Sequence, residues 1–168
     1  SASSPSRKAP DSVQEALPSK VGEDNLFGKT RQRTVRRNEC LYDLAREEYG
    51  MSNETIIDII QMANPNLSNV NRIYPGQKLI LPDVKKENLI VKNGKGIYHI
   101  YYASFYRERD ARECVRDLIL EHRKAFMISA RQGSNVVHRV YVGPFKNKRN
   151  AETVLDALDL KFLTFLGR

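Results

Sequence analysis

Histidine and cysteine are scarce in this chain, three and two among 168 residues. His99, His122 and His138 stand at no zinc-like spacing with Cys40 or Cys114, so no metal site is expected. Cysteines in separate halves make no disulfide framework, and both are expected as packing residues. No apolar run reaches the roughly 18 residues of a membrane-crossing helix, and no signal pattern opens the chain. It begins at Ser1 without a methionine, so a processed or excised form is expected, with any leader, membrane anchor or catalytic domain outside it. No nucleophile and base stand in a catalytic pattern, so the reading is non-enzymatic, with no cofactor. Acidic residues are the minority, 20 against 28 basic, for a net charge of +8. The excess lies mainly in residues 97–168, at +5, which suits a polyanionic partner or a merely solvated basic surface.

What is present divides the chain into two small units. Residues 1–30 are rich in Ser, Pro, Lys and Glu and are expected to be a disordered tether. Residues 31–82 read as strand, helix, helix, strand. The apolar positions Leu41, Leu44, Ala45 and Tyr49 predict a first helix, stopped by Gly50. Asn53 predicts the cap of a second helix from about Glu54 to Met62, with Ile56, Ile57, Ile60 and Ala63 as its buried stripe. Pro65 ends that helix, and Pro75-Gly76 fits a type II turn into a strand from Lys78 to Leu81. The arginines Arg31, Arg33, Arg36 and Arg37 are expected on the solvent face of an edge strand.

Residues 83–96 are expected as a linker, within which Leu89, Ile90 and Val91 could form a short strand or dock onto a neighbour. From Ile97 the pattern predicts β-α-β-β-α-β: a strand over 97–105, a helix over 110–121, a hairpin of 125–130 with 136–142, a helix over 150–158 and a last strand over 162–166. The fold class is therefore α+β. A βααβ unit precedes a split βαβ domain of ribonucleoprotein-like build, with a four-stranded antiparallel sheet backed by two helices.

The order Thr34-Val35, Leu41-Tyr42-Asp43-Leu44-Ala45, Asn64-Pro65-Asn66-Leu67 and Ile73-Tyr74-Pro75-Gly76-Gln77-Lys78-Leu79-Ile80-Leu81-Pro82 resembles the LysM domain. That resemblance implies binding of N-acetylglucosamine-containing glycans in a shallow groove between two loops. The residues it points to are Asn38, Glu39, Cys40, Leu41, Asn66, Leu67 and Ile73. Asn38-Glu39-Cys40 departs from the usual Gly-Asp-Thr, and Cys40 is a weaker helix cap than Thr.

The second unit resembles the SPOR domain, on Tyr98-His99-Ile100-Tyr101-Tyr102-Ala103-Ser104-Phe105, Ala111-Arg112-Glu113, His138-Arg139-Val140-Tyr141-Val142-Gly143-Pro144-Phe145 and Asn150-Ala151-Glu152. This implies binding of peptidoglycan strands denuded of stem peptides, and direction to the division septum. Strand alternation places Ile100, Tyr102, Val140 and Val142 toward the helices. It leaves His99, Tyr101, Val137, Arg139 and Tyr141 on an open face, with Ser104 added as a candidate. Tyrosines there could stack on sugar rings while Arg139 donates hydrogen bonds, or be ordinary sheet-surface residues.

These readings together imply a monomeric, non-catalytic peptidoglycan-binding module of the bacterial periplasm or cell envelope. Protein partners of cell division or wall hydrolysis are possible, and nucleic acid is not expected. Two alternatives remain open: the targeting region of a cell-wall hydrolase, and an RNA-binding protein of RRM type. The second lacks the RRM third-strand signature around Arg139–Phe145.

Overall fold

The computed structural model describes residues 28–166, so all but the end of the expected tether lies outside the described residues. Strand β1, Thr30–Thr34, pairs antiparallel with β2, Lys78–Pro82, and carries helices α1, Leu41–Tyr49, and α2, Glu54–Ala63, between its strands. Gly50 closes α1 in a left-handed conformation, and the Asn53 side chain caps α2 by accepting from the Ile56 amide at 3.0 Å. At the start of α1 the capping is reversed: the Asp43 carboxylate reaches back and accepts from the Cys40 amide and thiol at 3.4 and 3.0 Å. The Pro75-Gly76 turn is closed by the Gln77 amide bonding to the Tyr74 carbonyl.

Asn64 ties the two layers of this unit together. Its side chain donates to the Ile60 and Ile80 carbonyls and accepts from the Ile80 amide. The arginine cluster is not all solvent face. Arg33 sits between α1 and the turn before it, bound to Glu39, Glu47 and Glu48 at 2.7 to 2.8 Å. Hydrogen bonding to Arg33 holds the Glu39 and Glu48 carboxyls below their ordinary range.

The second sheet has the order β3-β4-β6-β5 and is antiparallel throughout. Its strands are β3, Ile90–Lys92; β4, Tyr98–Phe105; β5, Ala125–Gln132; and β6, Asn135–Phe145. Helices α3, Glu108–Leu120, and α4, Lys148–Ala157, cover one face. Two expectations change here. The fourth strand comes from the expected linker: a 3-10 turn at Lys86–Leu89 leads into β3, whose Leu89, Ile90 and Val91 are buried. The segment expected as a last strand instead ends in a 3-10 turn, Thr164–Leu166, with Leu163 buried against the core. The backbone of 162–166 has no free sheet edge to join on that side, because β3 already pairs with β4. Gly143-Pro144 also does not end β6, which runs on to Phe145.

Candidate functional site

The loop groove of the first unit is open on one side only. Asn38, Cys40 and Asn66 are exposed, Glu39 and Ile73 are half-buried, and Leu41 and Leu67 are buried in the core. Leu41 and Leu67 are thus turned inward as part of the core rather than lining the groove. Glu39 is also committed, accepting from Arg33 and from the Arg36 amide. Exposed Asn38 adopts a positive φ of 60°, the conformation a glycine supplies more readily. Cys40 is exposed rather than packed, while burial pushes the Cys114 thiol up to about 12.

The sheet face of the second unit is closed. His99, Tyr101, Arg139, Tyr141 and Val137 share one face, and a register irregularity after Tyr101 brings Ser104 to it as well. Exposure runs from 0 % at Val137 and Ser104 to 8 % at Tyr141, so the expectation of an open face is overturned. Helix α2 of the first unit occupies part of it. Asp58, fully buried, takes a bidentate pair of hydrogen bonds from Arg139 at 2.9 and 3.1 Å. Ser104 Oγ donates to the same carboxylate at 2.6 Å, which makes Tyr101 Oη the donor in its 2.5 Å bond to Ser104. Thr55 exchanges two bonds with the Ser104 backbone, and Gln61 donates to the Gln132 carbonyl.

The electrostatics follow from that burial. Loss of water disfavours the Arg139 guanidinium, but the Asp58 charge and its hydrogen bonds outweigh this and hold Arg139 above its ordinary value. Burial, reinforced by Asp58, pushes the Tyr101 phenol well up, so it stays a protonated donor. The sequence carried a signal for this packing. Ile59 and Met62 lie off the expected stripe and put apolar side chains on a second face of the helix, which needs a neighbour of its own, and Thr55 through Met62 is indeed buried all round.

Beyond Tyr101 the face ends in an aromatic group. His99 meets Phe126 and Tyr141 edge-on, and Phe126 stacks on Tyr141. Both ring nitrogens of His99 are buried without a hydrogen-bond partner. His138 pairs in register with Phe105, far along β4 from His99, and bonds to Ser129. No group of three metal-ligating side chains occurs among the described residues.

Burial pushes both imidazoles below their ordinary value of 6.5. As the pH falls through 6.5 the unfolded chain takes up protons that the folded chain refuses, so folding stability is expected to drop on that side. His99→Leu should flatten the acid limb in urea denaturation between about pH 7.5 and 5. An unaltered limb would mean the proton uptake lies at other groups.

A cleft of about 460 Å³ opens where the two units meet near the groove. Val70 and Asn71 come from the same loop as Asn66 and Ile73, Tyr42 follows the other groove loop, and Tyr106 and Val136 come from the second unit. The β5–β6 turn is pinned there, with the Ser134 amide and hydroxyl both donating to the Ser68 carbonyl at 2.7 and 2.9 Å.

Family models match both units: the LysM domain over residues 34–82 and the SPOR domain over residues 94–163. No curated protein and no solved structure matches the chain. Both matched families bind peptidoglycan and act outside the cytoplasm, which supports a cell-wall binding module and an envelope location. No helix among the described residues is long and apolar enough to cross a membrane.

Proposed function

Since the chain is a LysM domain followed by a SPOR domain, we propose that it is a non-catalytic anchor that holds N-acetylglucosamine-containing glycan strands of bacterial peptidoglycan in the LysM loop groove. The observation that carries this reading is the contrast between the two expected surfaces. Asn38, Cys40 and Asn66 face solvent beside half-buried Ile73, whereas Arg139 is bound to Asp58 of α2, Tyr101 to the Ser104 hydroxyl that donates to the same carboxylate, and Tyr141 is buried among His99, Tyr101 and Phe126. Sugar then meets the backbone groups and exposed amides of two loops, a shallow site suited to one face of a polymer. We divide the chain at the short connection after Pro82, giving β3 to the SPOR domain. Placement at the division septum, or beside a wall hydrolase, is the finer role that the SPOR relationship suggests. The RRM alternative loses the surface on which bases would stack, because α2 lies over it.

Sedimentation of the full chain with purified sacculi tests the proposal. Retention should persist from low to moderate salt, because the ligand's recognised groups are neutral. Asn66→Trp, an exposed change that fills the groove, should lower retention by about tenfold. Failure to pellet, or retention that collapses with salt as charge-driven binding does, would remove the reading.

A further inference from the structure

The two edges of the SPOR sheet differ. At one edge stands β3, three residues long and ending in Lys92. At the other stands β5, eight residues with no proline and a single charge, Arg131. Among the described residues β5 is paired on one side only, to β6. Sheets ordinarily blunt such an edge with brevity, charge or proline, because its outward amides and carbonyls are a template for another strand.

Alongside this edge runs an apolar groove of about 480 Å³ between β5 and α3. Met127 forms its strand side and Val115, Ile119 and Leu120 its helix side, with Arg112 and Arg116 at the rim. Ile119 is 54 % and Leu120 71 % exposed, the most exposed of the large aliphatic residues described. Met127 belongs to this side of the sheet because its partner in register, Val140, faces the helices. Arg112 is held by Glu108 one turn back, whereas Arg116 has no carboxylate partner among the described residues.

We propose that this groove docks an extended segment of a partner protein as a fifth strand along β5, one whose groove-facing residues, every second position, are apolar and include a carboxylate. An edge strand beside a helix is a geometry that accepts added strands: main-chain hydrogen bonds supply the pairing, and every second side chain enters the groove. On the side that faces the groove, its apolar side chains cover Ile119 and Met127, and a carboxylate on that same side meets Arg116. Charge also argues against a second copy of this chain in the same place. Two-fold pairing of β5 with β5 would set two α3 helices side by side, with their rim arginines facing like charges.

The test uses the full chain and two synthetic peptides of about ten residues in which Thr alternates with groove-facing positions, these being Ile except for one Glu in the first peptide and one Lys in the second. Wild type should bind the Glu peptide at least about tenfold more tightly than the Lys peptide. Amide resonances of residues 126–130 and 115–120 should shift on binding. Ile119→Glu and Arg116→Glu, both exposed changes, should each weaken the Glu peptide by about tenfold while leaving the melting temperature and sacculus retention unaltered. Equal affinity for both peptides, absence of binding, or shifts confined elsewhere would overturn the proposal. So would a free chain that sediments as a dimer through β5, or one in which residues 1–27 already contact Met127.

Discussion

Asp58→Ala is expected to remove about 3–5 kcal/mol of folding stability, the largest single effect in the molecule. The aspartate itself makes few apolar contacts that could explain such a loss. The cost arises at Arg139, whose guanidinium would remain buried with Gln132 as its surviving polar partner. Ser104 would lose its acceptor at the same time, leaving the Tyr101–Ser104 pair pointing at a void. Removing both charges together should be far milder. Asp58→Leu with Arg139→Met replaces a desolvated ion pair by apolar volume, a change that is often neutral or stabilising. Urea denaturation of Asp58→Leu, Arg139→Met and the double variant closes the cycle. If Asp58→Ala cost under about 1 kcal/mol, the pair would be behaving as a solvated surface bridge and the closed interface would be wrong. The cycle also explains why Tyr101 and Arg139 are poor positions for probing sugar binding, since changes there unseat one domain from the other.

Gly133→Ala should cost about 3 kcal/mol, through two separable causes. The residue sits at φ +61°, and a methyl group there would lie 2.3 Å from the Ser68 carbonyl oxygen, a backbone atom that cannot swing aside. Gly50 isolates the first cause. Its φ is +78° with nothing within 4 Å of an added methyl, so Gly50→Ala carries only the conformational penalty, about 1 kcal/mol. The surplus at Gly133 measures how tightly the β5–β6 turn is pressed against the LysM loop. Hydrogen exchange at the Ser134 amide, which donates to Ser68, should quicken in the Gly133 variant and stay unaltered in the Gly50 one. Equal costs at the two positions would mean that the turn is free to lift away, and that the cleft beside it has a movable wall.

Local chemistry was legible without coordinates. Helix starts at Asn53, stops at Gly50 and the turn at Pro75-Gly76 each depend on a few neighbouring residues. The hairpin of β5 and β6 and the face assignment of Tyr101, Arg139 and Tyr141 follow from strand alternation, which is equally local. The fourth strand was not legible in the same way. Ile90-Val91-Lys92 is too short to outweigh its lysine- and glycine-rich surroundings as a pattern, and becomes a strand because β4 offers it an edge. Phe162–Leu166 carries the better strand composition and finds no such edge. Arg33 reads as one of four exposed arginines, and only the approach of Glu39, Glu47 and Glu48 from a turn and a helix gives it a distinct environment.

By itself, the sequence determined a LysM domain followed by a SPOR domain, most of their helices and strands, and which side chains share each strand face. Those properties are set by neighbours within a few positions along the chain. Only the tertiary structure decided which surfaces are free, because exposure depends on what arrives from elsewhere. Asp58 stands 81 residues from Arg139, and no pattern around either one specifies that a LysM helix will fill the floor of the SPOR sheet.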